Sequence, residues 1–129
     1  MSDTQQKAQQ YFDAYAATLN AGDLDAWVDT LAGEVVINPP DREAVIGSEA
    51  VRSYGQEAWF GPFSMRHAVV VQEAIPASDE YVHARGTWTI DLTPKDGSEP
   101  SSLRGTFMWL LRNEGGELKG ARAAFSILD

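Results

Sequence analysis

The sequence predicts an α+β domain in which three N-terminal helices are wrapped by one curved antiparallel sheet, the whole making a cone. Three observations predict it. Apolar residues recur at helical spacing through about residue 58, the period changes to two from residue 66, and short turns suited to an antiparallel meander separate the later segments. A chain of 129 residues suits one domain, 1–129, with one core.

The first helix is carried by Ala8, Phe12, Tyr15, Ala16 and Leu19, with Ser2, Asp3 and Thr4 as cap candidates and Asn20-Ala21-Gly22 as the stop. Asp23 then caps a second helix, on which Leu24, Trp27, Val28 and Leu31 share a face until Gly33 ends it. Val35-Val36-Ile37 reads as a short β-branched strand, closed by Pro39-Pro40. Ser48 is the expected cap of a third helix bearing Val51, Tyr54 and Ala58, broken at Gly61-Pro62. Residues 66–74, 80–92, 102–113 and 117–128 follow as four strands. Their turns are Pro76-Ala77-Ser78-Asp79, Pro94-Lys95-Asp96-Gly97 and Asn113-Glu114-Gly115-Gly116.

Strand 102–113 is apolar on both alternating sets: Arg104, Thr106, Met108 and Leu110 on one, Leu103, Phe107, Trp109 and Leu111 on the other. A sheet with one wet face alternates apolar with polar, so both faces are expected to be covered, one by the helices and one by a second subunit. The alternative is a scatter of ordinary exposed hydrophobic residues.

Composition narrows the function. The formal charge of −9, ten Lys and Arg against nineteen Asp and Glu, repels a phosphate backbone and argues against nucleic acid. No apolar run approaches the roughly 20 residues of a membrane span, and MSDTQQKAQQ lacks the apolar segment of a signal peptide. The expectation is a cytoplasmic protein that engages no membrane. With no cysteine there is no disulfide, thiolate chemistry or Cys-based zinc site. There is no G-x-S-x-G elbow, phosphate loop or paired-His metal spacing, so neither cofactor nor metal is expected.

FDAYAATLNAGDLDAWVDTLAGEVVINPP, IGSEAV, GTWTIDL and LRGTFMWLLRNEGG, with the final strand, resemble the nuclear transport factor 2-like superfamily. That group includes ketosteroid isomerase and the SnoaL-like polyketide cyclases; NAGDLDA is the most specific phrase. The resemblance implies a cystatin-like, ketosteroid isomerase-like barrel, commonly a homodimer, with a pocket for a small apolar molecule between helix and sheet. Ketosteroid isomerase needs a carboxylate base, a tyrosine and a protonated aspartic acid. Tyr15 matches the tyrosine. At the base position, before a proline, stands Asn38, which cannot carry a proton near neutrality, and at the third position Met108, which cannot donate a hydrogen bond. Only a different register would bring Asp41 in as the carboxylate. Ordinary steroid isomerase activity is therefore not expected.

Asn38 suits either orienting a ligand carbonyl or water, or closing a strand by bonding its own backbone. Tyr15, Asn38 and Met108 are expected in one cavity, with Tyr54 and Phe125 on its wall, Trp59, Phe60 and Phe63 closing it and Trp88 beside Phe125 as floor; core packing is the competing use of these aromatics. His67 is placed at the cone's mouth as a further proton-transfer candidate. His83 shares a face with Tyr81, Arg85, Thr87 and Asp91, which forms a pocket wall or, the preferred reading, a dimer-facing or solvated surface. Limonene epoxide hydrolase, another relative, uses an Asp-Arg-Asp relay; Asp91, Arg104 or Arg122, and Glu73 have the residue types, but spacing alone does not bring them together. The leading expectation is a small-molecule-binding SnoaL-like domain. The alternatives are a cofactor-free lyase, isomerase, cyclase or hydrolase on an apolar or polyketide-like substrate, using Tyr15 with a His or Asp base, and a dimerisation or association module.

Overall fold

The computed structural model describes residues 2–128. Helix α1 (Asp3–Asn20) is capped by Ser2, whose hydroxyl accepts from the Gln5 N–H at 3.0 Å, and buries Ala8, Phe12, Tyr15, Ala16 and Leu19. Helix α2 (Leu24–Asp29) is capped by Asp23, which accepts from the Ala26 N–H at 3.0 Å. It stops short of Gly33 because the carbonyl of Thr30 is claimed by the sheet, accepting from the Gly120 N–H at 3.0 Å and the Tyr11 hydroxyl at 2.8 Å. Leu31 thus already opens strand β1 (Leu31–Asn38), which is longer than the three β-branched residues alone indicate.

A two-residue strand, β2 (Val45–Ile46), follows and has no periodic signal to announce it. Helix α3 (Ser48–Gly55) is capped by Gly47, at φ 89°, and not by Ser48, which lies one residue inside. Glycine supplies the left-handed backbone the entry needs. A π-helical turn, Gln56–Phe60, continues α3 toward the sheet.

Strands β3 (Phe63–Pro76), β4 (Tyr81–Pro94), β5 (Ser101–Glu114) and β6 (Glu117–Leu128) form the expected antiparallel meander. The sheet order is β2-β1-β6-β5-β4-β3, with β1 joining β6 in parallel. Register shifts insert one residue in β3, Gln72, and one in β6, Ala121, opposite Leu110 and Leu111 of β5, bending those strands and curving the sheet around α1.

That order leaves β3 on an edge, where unpaired backbone groups invite association. Side-chain amides of α1 occupy it. Gln9 donates to the Val69 carbonyl and accepts from the Val71 N–H, both at 2.8 Å, and Asn20 accepts from the His67 N–H at 2.6 Å while donating to its carbonyl at 3.2 Å. Gln5 adds a bond to the Val71 carbonyl at 3.2 Å. One flank of the helix therefore acts as a partial strand.

The convex face is less apolar than β5 alone suggests. Met108 is 58% exposed there, but Arg85 pairs with Glu73 at 2.9 Å, Arg112 with Glu34 at 2.6 Å and Glu80 at 3.0 Å, and Ser102 donates to Asp91 at 2.7 Å.

Candidate active site: the aromatic cavity

The concave side of the sheet, α1, α2, α3 and the π-helical turn enclose a cavity of about 80 Å³. By a measure in which one water needs about 10 to 15 Å³, this is room for roughly six waters, or one to two fused rings. All four tryptophans of the chain, Trp27, Trp59, Trp88 and Trp109, line it. So do Tyr15, Tyr54, His67, Ile37, Phe107 and Phe125. No acidic, lysine or arginine side chain belongs to the lining, so the cavity carries no formal charge.

Helical spacing places Phe12 and Tyr15 on the sheet-facing side of α1. Phe12 meets Phe107 at 4.8 Å and Trp109 at 5.2 Å between ring centroids, and Tyr15 stands edge-on to Trp109 at 5.1 Å. Burial pushes the Tyr15 phenol up to about 12, so it stays protonated and able to donate at neutral pH.

His67 enters from β3, 5.9 Å from the Tyr15 ring and 6.2 Å from Trp88. Its Nδ1 lies 2.9 Å from the Thr89 carbonyl oxygen. A carbonyl only accepts, so Nδ1 carries the hydrogen and Nε2 keeps its lone pair. Desolvation lowers the imidazole's pKa and keeps it neutral, with the Thr89 bond opposing in part.

The remaining polar groups divide by whether they are satisfied. Trp88 Nε1 donates to the Thr106 carbonyl at 3.1 Å and Trp59 Nε1 to the Tyr54 hydroxyl at 3.1 Å. Trp27, 3% exposed, has no hydrogen-bond partner for its Nε1. Its indole is wedged against Phe60 at 5.6 Å and against Gly55, where any side chain would collide with the ring. At the rim, the Arg42 guanidinium sits 5.2 Å above the Tyr54 ring.

The predicted site is thus partly assembled and partly corrected. Tyr15, Tyr54, Trp59, Phe60, His67, Trp88 and Phe125 surround one cavity. Phe63 packs on the core without lining it. Asn38 and Met108 are exposed on the convex face, in a shallow depression with His83, Leu110 and Arg122, so they do not share a cavity with Tyr15. The reason is strand parity: Val35 and Ile37 turn inward on β1, and Phe107, Trp109 and Leu111 turn inward on β5, which sends Asn38, Met108 and Thr106 outward. Asp41 is exposed in the loop after β1. The residues of the Asp-Arg-Asp arrangement are no cavity group either, since Asp91 pairs with Ser102 and Glu73 with Arg85 outside. Sequence reasoning missed Trp27 as a polar group; the available signal was an indole N–H on the buried stripe of a short helix, where tryptophan normally finds an acceptor.

A curved α+β sheet closed over helices around an aromatic cavity defines a class of pocket-bearing cone folds. The model of the SnoaL-like domain matches residues 9–119, and the chain belongs to that family. Among curated proteins none matches the sequence. Among solved structures, a ketosteroid isomerase-like protein from Erwinia carotovora atroseptica superposes with a TM-score of 0.85 at 19% identity, covering 100% of this chain and 99% of that one. A protein described as a candidate scytalone dehydratase from Novosphingobium aromaticivorans gives 0.86 at 12% identity, with 100% and 89% covered. A type 2 hexachlorocyclohexane dehydrochlorinase gives 0.82 at 8% identity, with 96% and 84% covered. At these identities the likeness is one of fold. Among the described residues no helix is long and apolar enough to cross a membrane, and no cluster of His, Asp or Glu is arranged to hold a metal ion.

Proposed function

We propose that this domain binds a neutral, flat, one- to two-ring organic molecule in the aromatic cavity. The observation that carries the reading is the lining itself: aromatic side chains from α1, α2, α3, β3, β4, β5 and β6 converge on one space that contains no formal charge. Asn38 and Met108 lie outside the cavity, so the residue set of ketosteroid isomerase is not assembled around it. Because every tryptophan lines it, a titration with tetralin followed by intrinsic fluorescence reads occupancy directly. Saturable quenching is expected, and its absence up to the solubility limit would remove the reading.

A second reading is favoured by the geometry of His67. With Nδ1–H held by Thr89, Nε2 is a neutral base facing a protonated phenol, a pairing fit to take a proton from carbon while Tyr15 supports the oxygen that gains charge. Two fold neighbours are named for eliminations, loss of water and loss of hydrogen chloride, and both reactions remove a proton from the substrate. Exchange of deuterium into the carbon beside the carbonyl of bound 1-tetralone, lost in His67→Gln while binding persists, is the expected sign; equal exchange in the variant would exclude His67 as the base.

The convex face suits a second copy of this chain, because Met108 and Leu110 form an apolar centre between the Arg85–Glu73 and Arg112–Glu34 pairs. Sedimentation equilibrium should give twice the 14.1 kDa chain mass, falling to one chain in Met108→Glu. A wild-type monomer would overturn this.

A further inference from the structure

The cavity does not end in a polar rim on every side. Of its lining side chains only Trp59, His67 and Phe125 are partly exposed, so these three mark where it opens. Beside His67 the surface turns polar, because the Asn20 amide bonds to the backbone there. Beside Phe125 it stays apolar. Strand side chains two positions apart share a face, so Ile127 is the next concave-face residue of β6, about 7 Å beyond Phe125, and it is 42% exposed. Phe125 stands opposite the buried Phe107 and Ile127 opposite Gly105, so both point to the concave side. Gly105 leaves its own place empty; a Cβ there would strike the Trp88 indole, which lies over it and floors the opening. Leu103, the next concave-face residue of β5, packs partly buried against the core. Along β5 and β6 the concave face therefore runs apolar from inside the cavity, past Trp88 and Phe125, out to Ile127 and Leu103.

We infer that this strip receives an alkyl chain carried by the ligand, making the occupant a one- to two-ring molecule whose apolar substituent leaves the cavity past Phe125. A lone exposed isoleucine on a protein surface needs no explanation. This one continues the wall of a cavity on the same face of the same strand. The side chains of Phe125, Ile127 and Leu103 offer no donor, acceptor or charge, so a polar substituent laid along them would lose water and gain no partner, whereas a hydrocarbon chain gains from the same contact. Full burial of one methylene is worth about a factor of four in affinity, and a chain covered on one side gains roughly half that free energy, about twofold for each carbon. Ile127 is thereby a residue that selects an alkylated ring over the bare one.

This inference rests on the cavity being the binding site, and one matched pair of probes separates the two claims. Tetralin and 6-butyltetralin share the rings and differ in the chain. Isothermal titration should show the butyl compound binding about tenfold more tightly, and Ile127→Glu should cut that gain to about twofold or less while leaving tetralin affinity within about twofold. Retained tetralin binding is also the check that the variant is folded. In the unmodified protein, the Ile127 methyl resonances should move with 6-butyltetralin and stay in place with tetralin. Equal affinity for the two compounds, a gain that survives Ile127→Glu, or Ile127 resonances untouched by the butyl compound overturns the alkyl strip while the cavity reading stands. A sedimentation mass that falls in Ile127→Glu makes the strip a contact between copies of the chain and overturns it as well. Failure of both compounds to bind overturns both claims.

Discussion

The concave and convex faces of the sheet are made by alternate residues of the same strands, yet they are governed by different physics. On β5, Phe107, Trp109 and Leu111 are 5%, 6% and 0% exposed and packed on α1, whereas Thr106, Met108 and Arg112 on the other side meet solvent, Ser126 and Glu34. The inner face is held by apolar area and ring packing, in which each atom removed leaves a cavity. The outer face is held by ion pairs between half-exposed side chains, each worth little and screened by salt. Stability and the candidate site thus share the inner face, while the outer face carries exposed ion pairs and Met108.

The largest expected effect breaks the inner face. Phe12→Ala should lower unfolding free energy by about 3 to 5 kcal/mol in denaturant titrations, because Phe12 is 1% exposed and touches Phe107, Trp109 and Tyr15. A loss below 1 kcal/mol would mean the inner face is loosely packed. Next comes the helix flank: Gln9→Ala removes both bonds to β3 and should cost about 1 to 3 kcal/mol, with faster aggregation by light scattering at equal unfolded fraction.

The two faces also differ in their response to pH. Folding depresses the pKa of His67 below its ordinary 6.5, so the unfolded chain binds the extra proton. Its contribution is therefore fully present above pH 6.5 and is lost as pH falls below that value toward the folded pKa. On the outer face, Arg112 holds the Glu34 carboxyl below its ordinary 4.5, so that contribution is lost only at more acid pH. Denaturant midpoints between pH 7.5 and 5 should fall in the wild type and flatten in His67→Phe, with little change in 0.5 M salt. A slope that persists in the variant would assign it elsewhere. The smallest effect is Glu34→Gln, expected to cost about 0 to 1 kcal/mol near neutrality and to lose even that at high salt.

Much of this fold is legible in the residues themselves. Ser2 and Asp23 are cap residues ahead of clean helical periods, and the turns that bound β3 to β6 are written in proline, glycine and asparagine. What is not legible is which alternate set of β5 faces inward, since both contain large apolar side chains and a shift of one residue exchanges them. Burial of Phe107 and Trp109 against Phe12 settles it, and that contact joins residues nearly a hundred positions apart. The same parity removes Asn38 from the cavity. His67 and Tyr15 are legible as chemical candidates, but the tautomer of His67 depends on Thr89 across the strand pair.

The amides along α1 also set an order of events during synthesis. Phe63, which opens β3, lies 43 positions after Asn20, the last residue of α1. At about 5 to 20 residues per second, the helix segment leaves the ribosome roughly two to nine seconds before the strand it covers. The long edge of β3 is thus made after its cover, and Gln5, Gln9 and Asn20 stand ready as a template for its backbone. A circularly permuted chain that begins at β3 reverses this order, and its nascent edge waits until β4, β5 and β6 have been made before α1 follows.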